Sequence, residues 1–328
     1  MDNLHSILSD PAWFPYVFDS RFQNLTFIKT AAEPLRRAPF LDERFLTADT
    51  QTTSLPIAEL IQPAAALAHA VKPAFIFHSA FCCSTLMAGA LDNPKKVLAL
   101  KEPQILMSLA NAKRMLARNN RPRAEYERLM VLVINLLSRR FSTEEAIVIK
   151  PTNAVNNIIE DVRKMGLPFI MLQSNLEDFL ISVLKKGEPC KSFIRTQYNI
   201  FSLDHGPISK IDPRQAMTLT DLQVACLVWR HQILLFKTLG ARSLLINDKA
   251  FLAQQEQTVL QAAQTLGLDM SAKDASALTA QRYFSKNAKF QDQALSARDK
   301  EQSANAIRQK YSQEISESLA WNARLQFG

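Results

Sequence analysis

The chain has 328 residues, 47% hydrophobic and 21% charged, with 39 Lys plus Arg against 31 Asp plus Glu and a formal charge of +8. This mix excludes disordered and fibrous chains, and the length predicts a substantial core in one large α/β domain or two small ones. Four cysteines, with Cys82 and Cys83 adjacent, make no disulfide framework at this length, so reduced thiols in a cytoplasmic protein are expected. No apolar run approaches the roughly 20 residues of a membrane-spanning helix, and no basic segment followed by an apolar one opens the chain.

Residues 1–70 are punctuated by Pro11, Pro15, Pro34, Pro39, Pro56 and Pro63 and carry only short helical patterns. They are expected to form an extension packed on the main body. AFIFHS (74–79) reads as a buried strand. STLMAGALDN follows with helical spacing and Ser84 as a possible cap. VLAL (97–100) is a second strand, and the pattern predicts a long helical region over 104–140. AIVIK (146–150) is a third strand, stopped by Pro151 and followed by a helix closing at Gly166. PFIMLQ (168–173) is a fourth, with a helix to Gly187; 219–240 reads as a long helix, RSLLIN (242–247) as a fifth strand, and 250–267 as a further helix.

Strands and helices alternating in this way predict a parallel sheet with right-handed crossovers, whose ligands bind at the carboxyl ends of the strands. One rim then carries 78–85, 101–103, 150–153, 173–175 and 247–248. Between 95 and 140, eleven Lys or Arg face three Asp or Glu, densest over 113–128. Such a patch suits an anionic partner or a plain solvated surface. The absence of aromatic interleaving and of zinc spacing argues against nucleic acid.

HSAFCCST (78–85) joins the first strand to its helix. A turn of this kind can aim main-chain N–H groups and a helix N-terminus at an oxyanion. Against G-x-x-x-x-G-K-[ST] only Thr85 matches; His78 and Cys83 replace the glycines and Ser84 the lysine, so a Walker A loop is rejected.

FIFHSAFCCSTLMAGALD resembles the first motif of the sulfotransferases that use 3′-phosphoadenosine 5′-phosphosulfate. Further segments resemble that family in the same order. LALKEPQIL (98–106) is similar to its E-P segment and IVIKPTNAVNNI (147–158) to its strand followed by K-P. In FIMLQSNLEDFLIS (169–182), Asn175, Asp178 and Ser182 fall in register with the 3′-phosphate motif. LLINDKAFLAQQEQTVLQAAQTLGL (244–268) and FSKNAKF (284–290) resemble later segments. The resemblance implies a three-layer, P-loop-type parallel sheet flanked by helices over 71–290. Helical additions would be an extension over 1–70 and a helical segment over 291–328, all in one structural domain. It also implies 3′-phosphoadenosine 5′-phosphosulfate as donor, 3′-phosphoadenosine 5′-phosphate as product, no metal, and a small-molecule or peptide acceptor. By the same resemblance Ser79, Ala80, Phe81, Cys82, Cys83, Ser84, Thr85 and Leu86 would cradle the donor, with Ser174, Ser182 and Lys286 on its nucleotide. The family's basic loop residue aligns with Phe81, its glycine with Cys83, and the arginine of its 3′-phosphate motif with Ser174.

Transfer of a sulfuryl group needs fixed positive charge and N–H donors on the donor's oxygens, and a base for the acceptor. Lys150 and Lys286 are the candidate replacements for the missing cation; His78 and Glu102 are the candidate bases. Each also has a plainer reading: His78 bonded to backbone, Glu102 paired with Lys101 or Lys150, and Ser174 as a cap. Cys82 and Cys83 beside a helix N-terminus invite a nucleophile reading, against which no histidine partner stands at a recognisable spacing. Trp229 falls in an apolar stripe with Ala225, Cys226 and Ile233 and reads as core. Two further readings stay open: an anion-binding or regulatory protein on the same scaffold, and a kinase-like nucleotide protein, which lacks the lysine and a clear strand-end aspartate.

Overall fold

The structure is a computed structural model and describes residues 2–66, 71–142, 146–239, 243–279 and 297–325. The expected alternation is there. Strands β4 (Ala74–His78), β5 (Val97–Lys101), β6 (Ala146–Lys150), β7 (Phe169–Gln173) and β8 (Leu244–Asn247) form a parallel sheet in the order β5-β6-β4-β7-β8. β4 lies at its centre, where the chain first crosses to one edge and later to the other, and ligands of open α/β sheets gather at such a switch point.

Every residue of β4 and β5 is buried, which is why these strands read as unbroken apolar runs. Phe75, Phe77, Leu98, Leu100, Ile147, Ile149, Phe169 and Met171 face one helical layer. That layer contains α5 (Gln104–Arg118), α6 (Arg123–Leu137) and α7 (Ile159–Lys164). Ala74, Ile76, Val97, Val148, Ile170, Leu172 and Ile246 face the other, built from α4 (Ser84–Leu91), α12 (Asp248–Ala253), α13 (Gln255–Thr265) and α14 (Ala272–Thr279). A third cluster joins α8 (Leu176–Lys186), α9 (Glu188–Phe201) and α11 (Asp221–Leu239), and includes Phe179, Phe201 and Val228. Arg230 donates to the carbonyls of Asn322 and Leu325 and so ties the helix Ser312–Arg324 to α11.

Three expectations change. Residues 1–70 hold more than short helices: β1 (Trp13–Phe18), β2 (Asn24–Lys29) and β3 (Thr52–Pro56) form an antiparallel sheet that shares its core with α5 and α6. The region 104–140 is two helices, because Asn120 is left-handed (φ 52°) and Pro122 bars the residue before it from continuing a helix. The segment 250–267 likewise divides at Gln254.

The basic stretch is largely spent inside the protein. Lys113 and Arg123 both pair with Asp161, Arg114 makes a two-point contact with Asp204, and Lys96 pairs with Asp269. Arg121 and Arg123 meet Glu125 and Glu127 one turn along. Among the described residues no helix is long and apolar enough to cross a membrane.

Candidate functional site at the carboxyl edge of the sheet

The turn leaving β4 takes a conformation that its residues do not favour. Ala80 (φ 68°), Phe81 (φ 52°) and Cys83 (φ 60°) are all left-handed without a glycine among them. Each such residue costs about 1–2 kcal/mol, so the turn holds several kcal/mol of strain that the surrounding structure must offset. The turn leads into α4, whose N-cap is Cys83 rather than the expected Ser84 and supplies no side-chain bond. The N–H groups of Ser84, Thr85 and Leu86, orphaned as in any first helical turn, therefore stay unpaired, as do those of Phe81 and Cys82, among the described residues. Five donors are thus left for a ligand. The first helical amide with a partner is Met87, which donates to Cys83 O at 3.0 Å.

The side chains around the turn settle several questions. His78 accepts from the Ala80 N–H at Nδ1 (3.1 Å), and its Nε2 lies 3.0 Å from Pro151 O and donates to it. Both ring nitrogens are bound to main chain and the ring is buried, so in this geometry His78 supports the turn and offers no lone pair to an acceptor. Burial pushes the Cys82 thiol up to about 12, and it donates to Leu172 O at 3.4 Å; a thiol in that state is no nucleophile. The Phe81 ring packs on Phe179 and Phe193, with centroids 5.2 and 6.3 Å away. Lys186, at the end of α8, lies 3.7 Å from that ring's centroid. It sets a cation against the face of the phenylalanine in the turn. Sequence spacing gave no hint of this, since the pattern showed only a helix ending at Gly187.

At the next strand ends, Lys150 donates to Glu102 Oε1. Lys150 is 1% exposed and the Glu102 side chain 15%. Glu102 is itself left-handed (φ 56°) and its N–H donates to Lys150 O at 2.6 Å. Its Oε2 takes no hydrogen bond from any described residue. Lys101, the alternative partner, points elsewhere and donates to Arg36 O at 2.6 Å; burial lowers its pKa. The segment before β3 passes here, with the Leu41 N–H on Lys101 O and Arg44 close enough to feel the Glu102 charge.

On the far side of β4, Ser174 follows β7 and is 1% exposed, and its Oγ has no partner. The Trp229 indole N–H donates to its carbonyl at 2.9 Å, so this tryptophan is more than the core residue its stripe suggested. The cap of α8 is Asn175, which accepts from the Asp178 N–H, and not Ser174. Gln173 Oε1 is a second buried oxygen without a partner beside it. Asp248, at the end of β8, is buried; desolvation, aided by Asp178, raises its carboxyl to about 6. Asp178 pairs with Lys249 at 2.7 Å. Ser182 lies half-buried on α8, one turn past Asp178. Lys286 and the segment 284–290 lie outside the described residues. Among the described residues no group of three or more His, Cys, Asp or Glu could hold a metal ion.

Fold and rim together define a three-layer α/β protein with an unpaired set of main-chain donors at the sheet's switch point. No family model matches the chain and no curated protein matches it. Two solved structures are similar in fold. One is retinol dehydratase in a complex with retinol and PAP, at 11% identity and a TM-score of 0.39, covering 86% of this chain and 90% of that one. The other is retinol dehydratase in complex with androsterone and inactive cofactor PAP, at 12% identity and a TM-score of 0.38, with 86% and 90% covered. Neither TM-score reaches 0.5, and the fold described above stands on the sheet topology itself.

Proposed function

We propose that the chain is a sulfotransferase-like transferase that moves a sulfuryl group from 3′-phosphoadenosine 5′-phosphosulfate to a hydroxyl or amine acceptor. The observation that carries this reading is the turn after β4, strained at three residues and presenting the N–H groups of Phe81, Cys82, Ser84, Thr85 and Leu86 with no internal acceptor. Such donors at a helix N-terminus suit the oxygens of a phosphate or sulfuryl group. The buried, unpartnered Ser174 Oγ and Gln173 Oε1 fit further polar groups of a nucleotide.

When bound, the donor supplies the electrophilic sulfur. The chain's residues do the rest. The turn's amides hold the anionic oxygens, and Lys186 adds positive charge beside them. Glu102, with Oε1 fixed by Lys150, takes the acceptor's proton on Oε2 as the acceptor oxygen or nitrogen bonds to sulfur. The bond between sulfur and the nucleotide phosphate breaks, and its electron pair leaves with the phosphate. Lys150 acts as the fixed partner of that base and not as a free cation. Phe40 and Arg44, which stack on each other, stand near Glu102 and form part of the acceptor's wall.

The closed Lys150–Glu102 pair and the phenylalanine at the turn's cation position also favour a second reading, in which the protein binds the nucleotide without turnover. One experiment separates the two. Titration with 3′-phosphoadenosine 5′-phosphate is expected to raise the melting temperature saturably, since a ligand at 100 times its Kd stabilises by about 2.7 kcal/mol. Sulfuryl transfer to a panel of alcohols and amines then supports the transferase, and binding alone supports the second reading. No saturable stabilisation at millimolar nucleotide would overturn both.

A further inference from the structure

We infer that Gln232 and Asn156 are positioning residues that lock the glycine-free turn in its donor-presenting conformation. The key element is the peptide plane between Ser79 and Ala80, which precedes the left-handed φ of Ala80. Rotating that plane is the simplest way for Ala80 to escape its left-handed φ, because such a rotation changes ψ of residue 79 and φ of residue 80 together. The rotation must swing both the Ser79 carbonyl and the Ala80 N–H. Both are held. Gln232 Nε2 donates to Ser79 O at 3.2 Å and to Val228 O at 3.0 Å. The Ala80 N–H donates to His78 Nδ1 at 3.1 Å. The histidine is fixed in turn, its Nε2 on Pro151 O and its own carbonyl accepting from Asn156 Nδ2 at 3.0 Å.

The clamp is a carboxamide network in which Asn156 Oδ1 is left without a partner among the described residues. Gln232 Oε1 accepts from Asn153 Nδ2 at 3.1 Å and from Asn156 Nδ2 at 3.2 Å, and Asn153 also reaches Gln197 Oε1 at 3.1 Å. All four side chains are buried, and they come from three elements: α11, α9 and the 3-10 turn Asn153–Ile158 after β6. Polar side chains at that depth are costly unless bonded, and here the bonds end on the two carbonyls that precede the strained residues. Glycine would make the turn inexpensive from within; this chain stabilises it from outside. The inference deepens the reading of the turn as an oxyanion site, but the geometry it concerns exists without any ligand.

The test is Gln232→Glu, which keeps the acceptor for Asn153 and Asn156 and removes the donor to Ser79 O. Hydrogen exchange and 15N–1H shifts of residues 80–85 are read without ligand, together with the folding midpoint and the affinity for 3′-phosphoadenosine 5′-phosphate. Exchange at Ala80 is expected to accelerate about tenfold or more, and the shifts of Phe81, Cys82 and Ser84 to move. Acidification, which protonates the new carboxyl and restores a donor, is expected to reverse both effects; a merely structural role would lower the midpoint and leave this reversal absent. Asn156→Ser, which releases His78 O and leaves Gln232 in place, reads the same amides if the first variant fails to fold. Unchanged Ala80 protection in a folded variant overturns the inference. Loss of protection in a protein that never binds the nucleotide supports the clamp and overturns the donor assignment, so the two failures are distinct.

Discussion

Replacing Glu102 by Gln is the sharpest probe of the rim, because the structure sets an asymmetry between the two members of its ion pair. Lys150 is 1% exposed and its ammonium meets Glu102, while the Glu102 side chain is 15% exposed and touches solvent. Removing the carboxylate's charge strands a buried ammonium; removing the lysine strands a carboxylate that water can reach. Breaking a buried pair by deleting one partner costs about 3–5 kcal/mol, and the solvent contact at Glu102 places Glu102→Gln near the lower end, about 3 kcal/mol. At about 3 kcal/mol/M for a chain of this size, the urea midpoint should fall by about 1 M. Lys150→Met should cost about 1 kcal/mol, since it leaves only the hydrated partner and fills the space with a similar stem. The double variant should return to within about 1 kcal/mol of the native protein, which makes the coupling about 3 kcal/mol in a double-mutant cycle. Equilibrium urea unfolding of the four proteins measures it. A Glu102→Gln variant more stable than Lys150→Met would refute the reasoning, because it would mean that water already hydrates Lys150.

Three further expectations concern groups away from that pair. The Asp248 carboxyl, raised to about 6 by burial, binds its proton more tightly in the folded than in the unfolded chain, so it penalises folding increasingly as pH rises from 4 through 6. Asp248→Asn should therefore add about 1–2 kcal/mol at pH 7.5 and nothing near pH 4; a loss of stability at pH 7.5 would contradict this. His231 behaves oppositely: burial lowers its pKa to about 4, so the unfolded chain takes up a proton first and stability drains away between pH 6.5 and 4. His231→Phe, which keeps the stack on Phe201 (centroids 4.8 Å apart), should remove up to about 3 kcal/mol of that decline, and an unaltered acid limb would show the assignment to be mistaken. In Gly206→Ala the new Cβ would lie 2.7 Å from His231 Cε1, an overlap worth about 1–3 kcal/mol; chemical denaturation should register that loss and its partial recovery on adding His231→Ser.

The parallel sheet was legible because strands buried on both faces must be apolar throughout, as in 75–77, 147–149 and 170–172, and because the helices between them end at glycines such as Gly166 and Gly187. The N-terminal sheet was not. β1 carries Pro15, where its pairing with β2 shifts register, and a proline inside a short edge strand erases the alternating pattern. At the rim the residues could be named and their relations could not. Lys150 and Glu102 stood as separate candidates for cation and base, since nothing in a linear pattern tells that the ends of β5 and β6 bring them into one pair. His78 looked like a base for want of any view of Pro151 and Ala80 around its ring. Lys186 escaped notice because its bearing on Phe81 depends on how α8 lies over the turn.

The distance along the chain between the turn and its clamp has a consequence for the order of assembly. Gln232 meets Ser79 across 153 positions, and α11 emerges from the ribosome after β4, β5, β6 and β7. Those strands can pair while the nascent turn between β4 and α4 still samples ordinary right-handed and extended backbone. If Gln232 clamps the turn as inferred, the turn is fully held only once α11 docks, which makes its completion a late step in folding. A polypeptide halted before residue 221 would carry the turn and its His78 and Asn156 contacts but lack the Gln232 bond to Ser79 O.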